Sequence, residues 1–301
     1  MTQRPDFVIA GAAKCGTTAL FEYLSRHPGI FIPRIKEPKF FCSDLKTTGG
    51  VYDLEEYRAL FSAAPAACVT GEASTLYLYS TVAIKRLMAH NPRAKVIVML
   101  RYPPDAAHSL HAAGWSHRLE NIASFEEAWR VQEARLAGEY MPPGWPDPAT
   151  LQYGAMYRYA GQVRRLFEHV PPEQRHIVVY EEFFADPRKH FGRLLDFLQI
   201  APQEAAAGFP VVNPAMGFRS AWLERMLRQP PAWLKSVYES MRPVFRATRL
   251  HPARIASELN SAPRAKPGLS PAFRAEVDRY FAPDIAELEG LLGRQLWRDP
   301  A

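Results

Sequence analysis

The stretch that most constrains the fold is FVIAGAAKCGTT, residues 7–18. Phe7 to Ala10 read as a buried strand. Gly11, Ala12, Ala13, Lys14, Cys15, Gly16, Thr17 and Thr18 form a small-residue turn, and Ala19 to Leu24 continue as a helix. Strand, turn and helix in this order aim unpaired backbone N–H groups and the positive end of a helix dipole at an anion. Lys14 adds a mobile positive charge, and Thr17 and Thr18 add hydroxyl donors. The turn alone is equally compatible with plain helix–strand packing. A lysine, a glycine and two threonines together serve no packing purpose, and point to a phosphate or sulfate cradle.

This is not the nucleotide-triphosphatase loop, which needs Lys directly after the second glycine and then Ser or Thr. Gly11 and Gly16 are spaced correctly, but Thr17 stands where that lysine belongs and the lysine lies upstream at Lys14. At 301 residues, 48% hydrophobic and 23% charged, the chain can bury the core of a globular α/β protein. Its net charge of +6 suits an anionic ligand, and no nucleic-acid module accompanies it. Cys15, Cys42 and Cys68 are an odd, widely spaced set, which argues for a reducing compartment over a disulfide framework. No apolar run approaches the ~18 residues of a membrane span, and MTQRPDF has no apolar signal region, so a cytoplasmic chain is expected.

Along the chain, Thr17 to Arg26 reads as a helix and Gly29 to Pro33 as a short strand closed by proline. Pro38 predicts an extended Glu37 on a loop. Leu54 to Ala63 is helical by pattern, Ala67 to Thr70 a buried strand leading to Gly71-Glu72-Ala73-Ser74, and Thr81 to Asn91 a further helix. KVIVML, residues 95–100, is the clearest buried strand; it delivers Arg101, and Pro103 and Pro104 start a helix carrying Ser109 and His111. Helices are predicted over 125–138 and 156–169, a strand over Arg175 to Tyr180, and a helix capped by Asp186-Pro187. Alternating helices and apolar strands mean an α/β fold with a central parallel sheet.

Beyond Val211 the character changes. Arginines and lysines dominate residues 216–266, whose only acidic residues are Glu224, Glu239 and Glu258. Trp222, Met226, Trp233, Val237 and Met241 interleave at helical spacing. Such a segment is either an ordinary amphipathic layer or a cap over an anionic or amphiphilic substrate, with a possible membrane-surface face.

Arg101 stands at the carboxyl end of its strand, where open α/β sheets bind ligands, with Ser109 on the next helix. Alone, these two would be a surface arginine and a helix serine. With KCGTT, KEPKFF (residues 36–41), GEAST (71–75) and VIVMLRYPPDAAHS (96–109), the chain resembles the sulfotransferase superfamily, in particular its bacterial and heparan-sulfate-type branch. YAGQVRRLF, HIVVYEEFFADP and FAPDIAELEGLLG extend the resemblance to later helices and strands.

The resemblance implies a P-loop-kinase-like sulfotransferase fold with a helical C-terminal cap. It divides a single domain, 1–301, into a core (5–210), a basic cap (211–270) and a C-terminal helix (271–301). It implies 3′-phosphoadenosine 5′-phosphosulfate (PAPS) as donor, held by Lys14, Gly16, Thr17 and Thr18, with Cys15 inside the loop. Arg101 and Ser109 would hold the 3′-phosphate. Glu37 would be the catalytic base, and Lys14 would stabilise the leaving oxygen. Relatives close the 3′-phosphate site with a late basic-glycine loop, for which Arg264, Lys266 and Gly268 are the candidates here. Glu72, His111, Tyr159 and Trp222 are the expected acceptor-side residues.

The acceptor would be a small molecule, lipid or glycan. No metal is expected: His108, His111 and His117 lack cysteines or carboxylates at ligand spacing, and the strand that would offer a magnesium-binding Asp in a triphosphatase offers Arg101. The alternatives are a magnesium-dependent P-loop kinase and a non-catalytic protein that binds anions or membrane surfaces.

Overall fold

The computed structural model describes residues 4–47, 49–117, 119–201, 208–210, 216–218, 261–263 and 268–297. Five strands build the main sheet: β1 (Phe7–Gly11), β2 (Ile30–Phe31), β3 (Val69–Ala73), β4 (Lys95–Leu100) and β5 (Arg175–Val179). They lie in the order β2-β3-β1-β4-β5, all parallel. β1 is buried throughout, and β4 from its second residue on, as the near-continuous apolar runs demand of a sheet flanked by helices. From β1 the chain runs out past β3 to β2, and from β3 it crosses back past β1 to β4. The carboxyl ends of the strands at such a reversal are where open sheets take ligands. The Lys14 turn lies there.

Packing behind that point is close. Phe7 pairs with Gly71 across the β1–β3 ladder, and a Cβ at Gly71 would stand 2.1 Å from the Phe7 ring. Only glycine lets the ring lie across β3.

The helices are α1 (Thr17–Ser25), α2 (Leu54–Ala59), α3 (Ala83–His90), α4 (Pro103–Ser116), α5 (Phe125–Arg130), α6 (Gln132–Leu136), α7 (Tyr153–Tyr157), α8 (Tyr159–His169), α9 (Tyr180–Ala185), α10 (Pro187–Leu198) and α11 (Pro271–Leu292). Asp186 caps α10 as its sequence predicts, accepting from the Lys189 N–H at 3.1 Å. The strand expected from Ala67 begins instead at Val69 and continues through Gly71-Glu72-Ala73, because pairing with β1 extends it. The helix expected over 125–138 is two pieces that meet at Val131 (φ −94°, ψ 6°). Tyr180, read as the end of a strand, opens α9.

Trp222 and nearly all of the predicted cap lie outside the described residues, save a short antiparallel pair, β6 (Met216–Phe218) with β7 (Ser261–Pro263). α11 closes back on the core. Arg274 Nη1 meets Asp105 at 2.7 Å, and the Tyr102 hydroxyl donates to Asp278 at 3.0 Å. Just beyond the helix, Trp297 Nε1 donates to Glu181 at 2.8 Å. Among the described residues no helix is long and apolar enough to cross a membrane.

Candidate active site

Residues 12–16 turn the chain from β1 into α1. Lys14 (φ 62°) and Gly16 (φ 88°) both take left-handed backbone, which costs roughly 1–2 kcal/mol at the lysine and nothing comparable at the glycine. Gly16 is required twice over, since a Cβ there would stand 2.9 Å from the Phe184 ring and 3.0 Å from that of Tyr180. It is also the N-cap of α1. No side chain caps that end, and no acidic residue lies in its first turn, so the leading N–H groups of α1 are open to an anion.

The turn is fastened from beneath. The Tyr157 hydroxyl donates to the Ala13 carbonyl at 2.9 Å, and the Tyr159 hydroxyl lies 3.3 Å from Cys15 Sγ. The sequence reads a continuous helix here, in which side chains two residues apart diverge by about 200°. The structure breaks it at Arg158 (φ −79°, ψ 88°), and both tyrosines reach the underside of the loop. Cys15 and Tyr159 are fully buried, and burial pushes the Cys15 thiol up to about 12. The Cys15 side chain therefore belongs to the floor of the loop, and Tyr159, expected near the acceptor, supports that floor.

A second arm brings in Glu37. Its backbone is left-handed (φ 61°), not extended as Pro38 predicts: tertiary hydrogen bonds override the local preference. Glu37 N–H donates to the Ala73 carbonyl at 2.9 Å. Thr75 grips the carboxylate from the turn after β3, with its N–H at 2.9 Å from Oε2 and its hydroxyl at 3.0 Å from Oε1. Lys36 Nζ lies 3.4 Å from Glu37 Oε1 and donates to Thr18 Oγ1 at 3.0 Å, joining this arm to the first turn of α1. Sequence spacing gave no signal for Lys36 beyond its adjacency to Glu37; Thr75 at least sat inside the GEAST motif.

Arg101 completes the positive cluster from the end of β4. Its guanidinium lies over the Tyr180 ring, 4.6 Å from the centroid, and its buried Nε has no hydrogen-bond partner among the described residues. Burial, then Lys36, then Arg101 hold the Lys14 ammonium below the usual lysine pKa, so three cations crowd one turn. An orphaned guanidinium nitrogen, an uncapped helix start and clustered positive charge fit a ligand carrying two separate anionic groups. Ser109 is buried on the second turn of α4.

The remaining expected residues lie elsewhere. Glu72 is 1% exposed inside β3, accepting from Ser74 Oγ at 2.8 Å and Tyr57 OH at 3.2 Å. Burial raises its pKa to about 7 despite hydrogen bonds from Tyr77, Ser74 and Tyr57. His111 is equally interior: Nε2 donates to the Ile122 carbonyl at 2.9 Å, the ring packs on Phe125 and Tyr153, and burial lowers its pKa. Both were expected at the acceptor and are instead core residues, since polarity in a sequence does not report depth. Arg264 and Lys266 lie outside the described residues. Gly268 faces open space.

Past Glu37 the same segment walls a cavity of about 440 Å³, lined by Phe40, Leu45, Lys46, Thr47, Tyr52 and Arg86 among others. No described residue pairs with the charged groups of Lys46 or Arg86.

A family model described as the sulfotransferase domain matches residues 4–207. The mouse bifunctional heparan sulfate N-deacetylase/N-sulfotransferase 4 is 29% identical over 227 residues, 73% of this chain and 25% of its own. Human heparan sulfate glucosamine 3-O-sulfotransferase 3B1 is 31% identical over 198 residues, 65% of this chain and 46% of its own. The chain thus spans a quarter to a half of these curated relatives. The crystal structure of a sulfotransferase from Alicyclobacillus acidocaldarius superposes with a TM-score of 0.70 at 28% identity, covering 97% of both chains.

Proposed function

The chain belongs to the sulfotransferase-domain family, and on that premise we propose that it transfers a sulfuryl group from PAPS to a hydroxyl or amine of a glycan acceptor. The observation that carries this reading is the Glu37 carboxylate, pinned by Thr75 and linked through Lys36 to Thr18 of the anion loop. One carboxylate thereby stands at the mouth of a cation-lined cradle.

When bound, the donor supplies an activated sulfuryl group and leaves as 3′-phosphoadenosine 5′-phosphate. Thr17, Thr18 and the leading amides of α1 hold the 5′-phosphosulfate, and Gly16 leaves the backbone room to approach it. Lys14 supports the negative charge that gathers on the leaving oxygen. Arg101, with Ser109, would hold the 3′-phosphate, a role that the unpartnered Arg101 Nε supports. Glu37 accepts the acceptor's proton as the new bond to sulfur forms. A carboxylate has about four lone-pair sites; the Thr75 N–H, the Thr75 hydroxyl and Lys36 leave one for that proton. Positioning and charge serve a transfer of this kind.

The cavity beyond Glu37 takes the acceptor. Aromatic side chains at Phe40 and Tyr52, with Lys46 and Arg86 unpaired among the described residues, suit an acidic sugar chain, and the two curated relatives are named for heparan sulfate. Small-molecule and lipid acceptors are the other arms of an acceptor screen.

Calorimetric titration with 3′-phosphoadenosine 5′-phosphate, without metal, tests the donor site. Wild type should bind, and Lys14→Ala and Arg101→Ala should each weaken binding at least tenfold. Glu37→Gln should bind normally while turnover on desulfated heparan falls by about 10²-fold or more. Absence of wild-type binding, or binding of ATP only with magnesium, would overturn the reading.

A further inference from the structure

We propose that Lys36 is a sulfuryl-facing cation: it contacts the group in transit between donor and acceptor and leaves the nucleotide's phosphates alone. The inference rests on the sulfuryl-transfer reading above and deepens it.

The argument is one of placement. Lys36 Nζ stands between Thr18 Oγ1 (3.0 Å) and Glu37 Oε1 (3.4 Å). Thr18 belongs to the turn that holds the 5′-phosphosulfate, and Glu37 takes the acceptor's proton. The sulfuryl group passes from a donor held at Thr18 to an acceptor oxygen whose proton Glu37 takes, so the ammonium lies beside its path.

A routine surface ion pair does not account for this position. At 3.4 Å the contact with Glu37 is longer than the 2.7–2.9 Å typical of charge-assisted hydrogen bonds, so Glu37 is not what fixes the lysine. Its shorter contact is to a threonine 18 residues away. The side chain is only 26% exposed, and holding a lysine in one rotamer forfeits roughly 2 kcal/mol of entropy. Lys36 also lies near enough to Lys14 to depress that residue's pKa, alongside Arg101. Among the described residues, the Lys36–Glu37 contact is the one carboxylate contact that any of these three cations makes. An anion between Lys36 and Lys14 relieves that repulsion.

PAPS and 3′-phosphoadenosine 5′-phosphate differ only by the sulfuryl group, which separates the two possible roles without an acceptor. Affinities for both should be measured by calorimetry on wild type, Lys36→Met and Lys36→Arg. Lys36→Met should weaken PAPS at least fivefold and change the desulfated nucleotide less than twofold, with an unaltered thermal midpoint. Lys36→Arg should restore most of the difference. Equal losses for both nucleotides would make Lys36 a phosphate contact, and no loss for either would make it a loop residue; each outcome overturns the inference. If wild type binds neither nucleotide, the sulfuryl-transfer reading fails first and takes this inference with it.

Discussion

Lys14 combines a left-handed backbone with a depressed pKa; burial, Lys36 and Arg101 make its positive charge costly until an anion lies beside it. The pH consequence has a definite sign. A lysine with a lowered pKa loses its proton earlier than usual as pH rises, and a bound anion favours the charged form. Affinity for 3′-phosphoadenosine 5′-phosphate is therefore full at neutral pH and falls as pH climbs through the free-protein Lys14 pKa, which lies below 10.5. Titrations from about pH 7 to about pH 10 should show this decline in wild type and a flat profile in Lys14→Arg, since arginine stays charged throughout. Parallel profiles would remove Lys14 from the site. Lys14, Arg101 and Glu37 could be picked out of the sequence because each follows a strand or sits in a motif whose local chemistry is unusual. Lys36 could not: nothing in KEPKFF says which of its lysines reaches back to Thr18. Tyr159 and Cys15 were visible as polar residues, but their side of the loop depends on the break at Arg158.

At the scale of elements, β3 joins the sheet to the site, with Gly71 under the Phe7 ring, Glu72 buried and Thr75 holding Glu37. Periodicity found the strand and missed its length, because the extension comes from pairing with β1. A carboxyl raised from 4.5 to about 7 binds more protons folded than unfolded across that window. Stability thus falls as pH rises from 4.5 to about 7 and then levels off, a loss of up to about 3 kcal/mol. Glu72→Gln cannot ionise and preserves the shape. Its urea-derived unfolding free energy should stay flat across the same window, and a slope matching wild type would assign the effect to another group.

The whole molecule closes through α11. Asp278 accepts from the Tyr102 hydroxyl and from Arg274, which also binds Asp105. Glu181 accepts from the Tyr102 N–H on one oxygen and from Trp297 on the other. The residue after Arg101 is therefore held by α11, and α9, which carries the ring beneath that arginine, is held by Trp297 just beyond that helix. Asp278→Ala should weaken 3′-phosphoadenosine 5′-phosphate binding several-fold, together with a stability loss of about 1–3 kcal/mol. Calorimetry showing unchanged affinity would confine the latch to stability. The parallel sheet was legible because its strands are apolar runs, whereas a latch of single polar contacts has no pattern to read.

The Tyr102–Asp278 contact spans 176 residues of sequence. At about 5–20 residues per second, a ribosome needs roughly 10–35 s to travel that distance. The sheet and the anion turn are made early, while the arginine at the end of β4 waits for its clamp. A growing chain thus completes its five-stranded sheet before Asp278 and Trp297 can take hold of Tyr102 and Glu181.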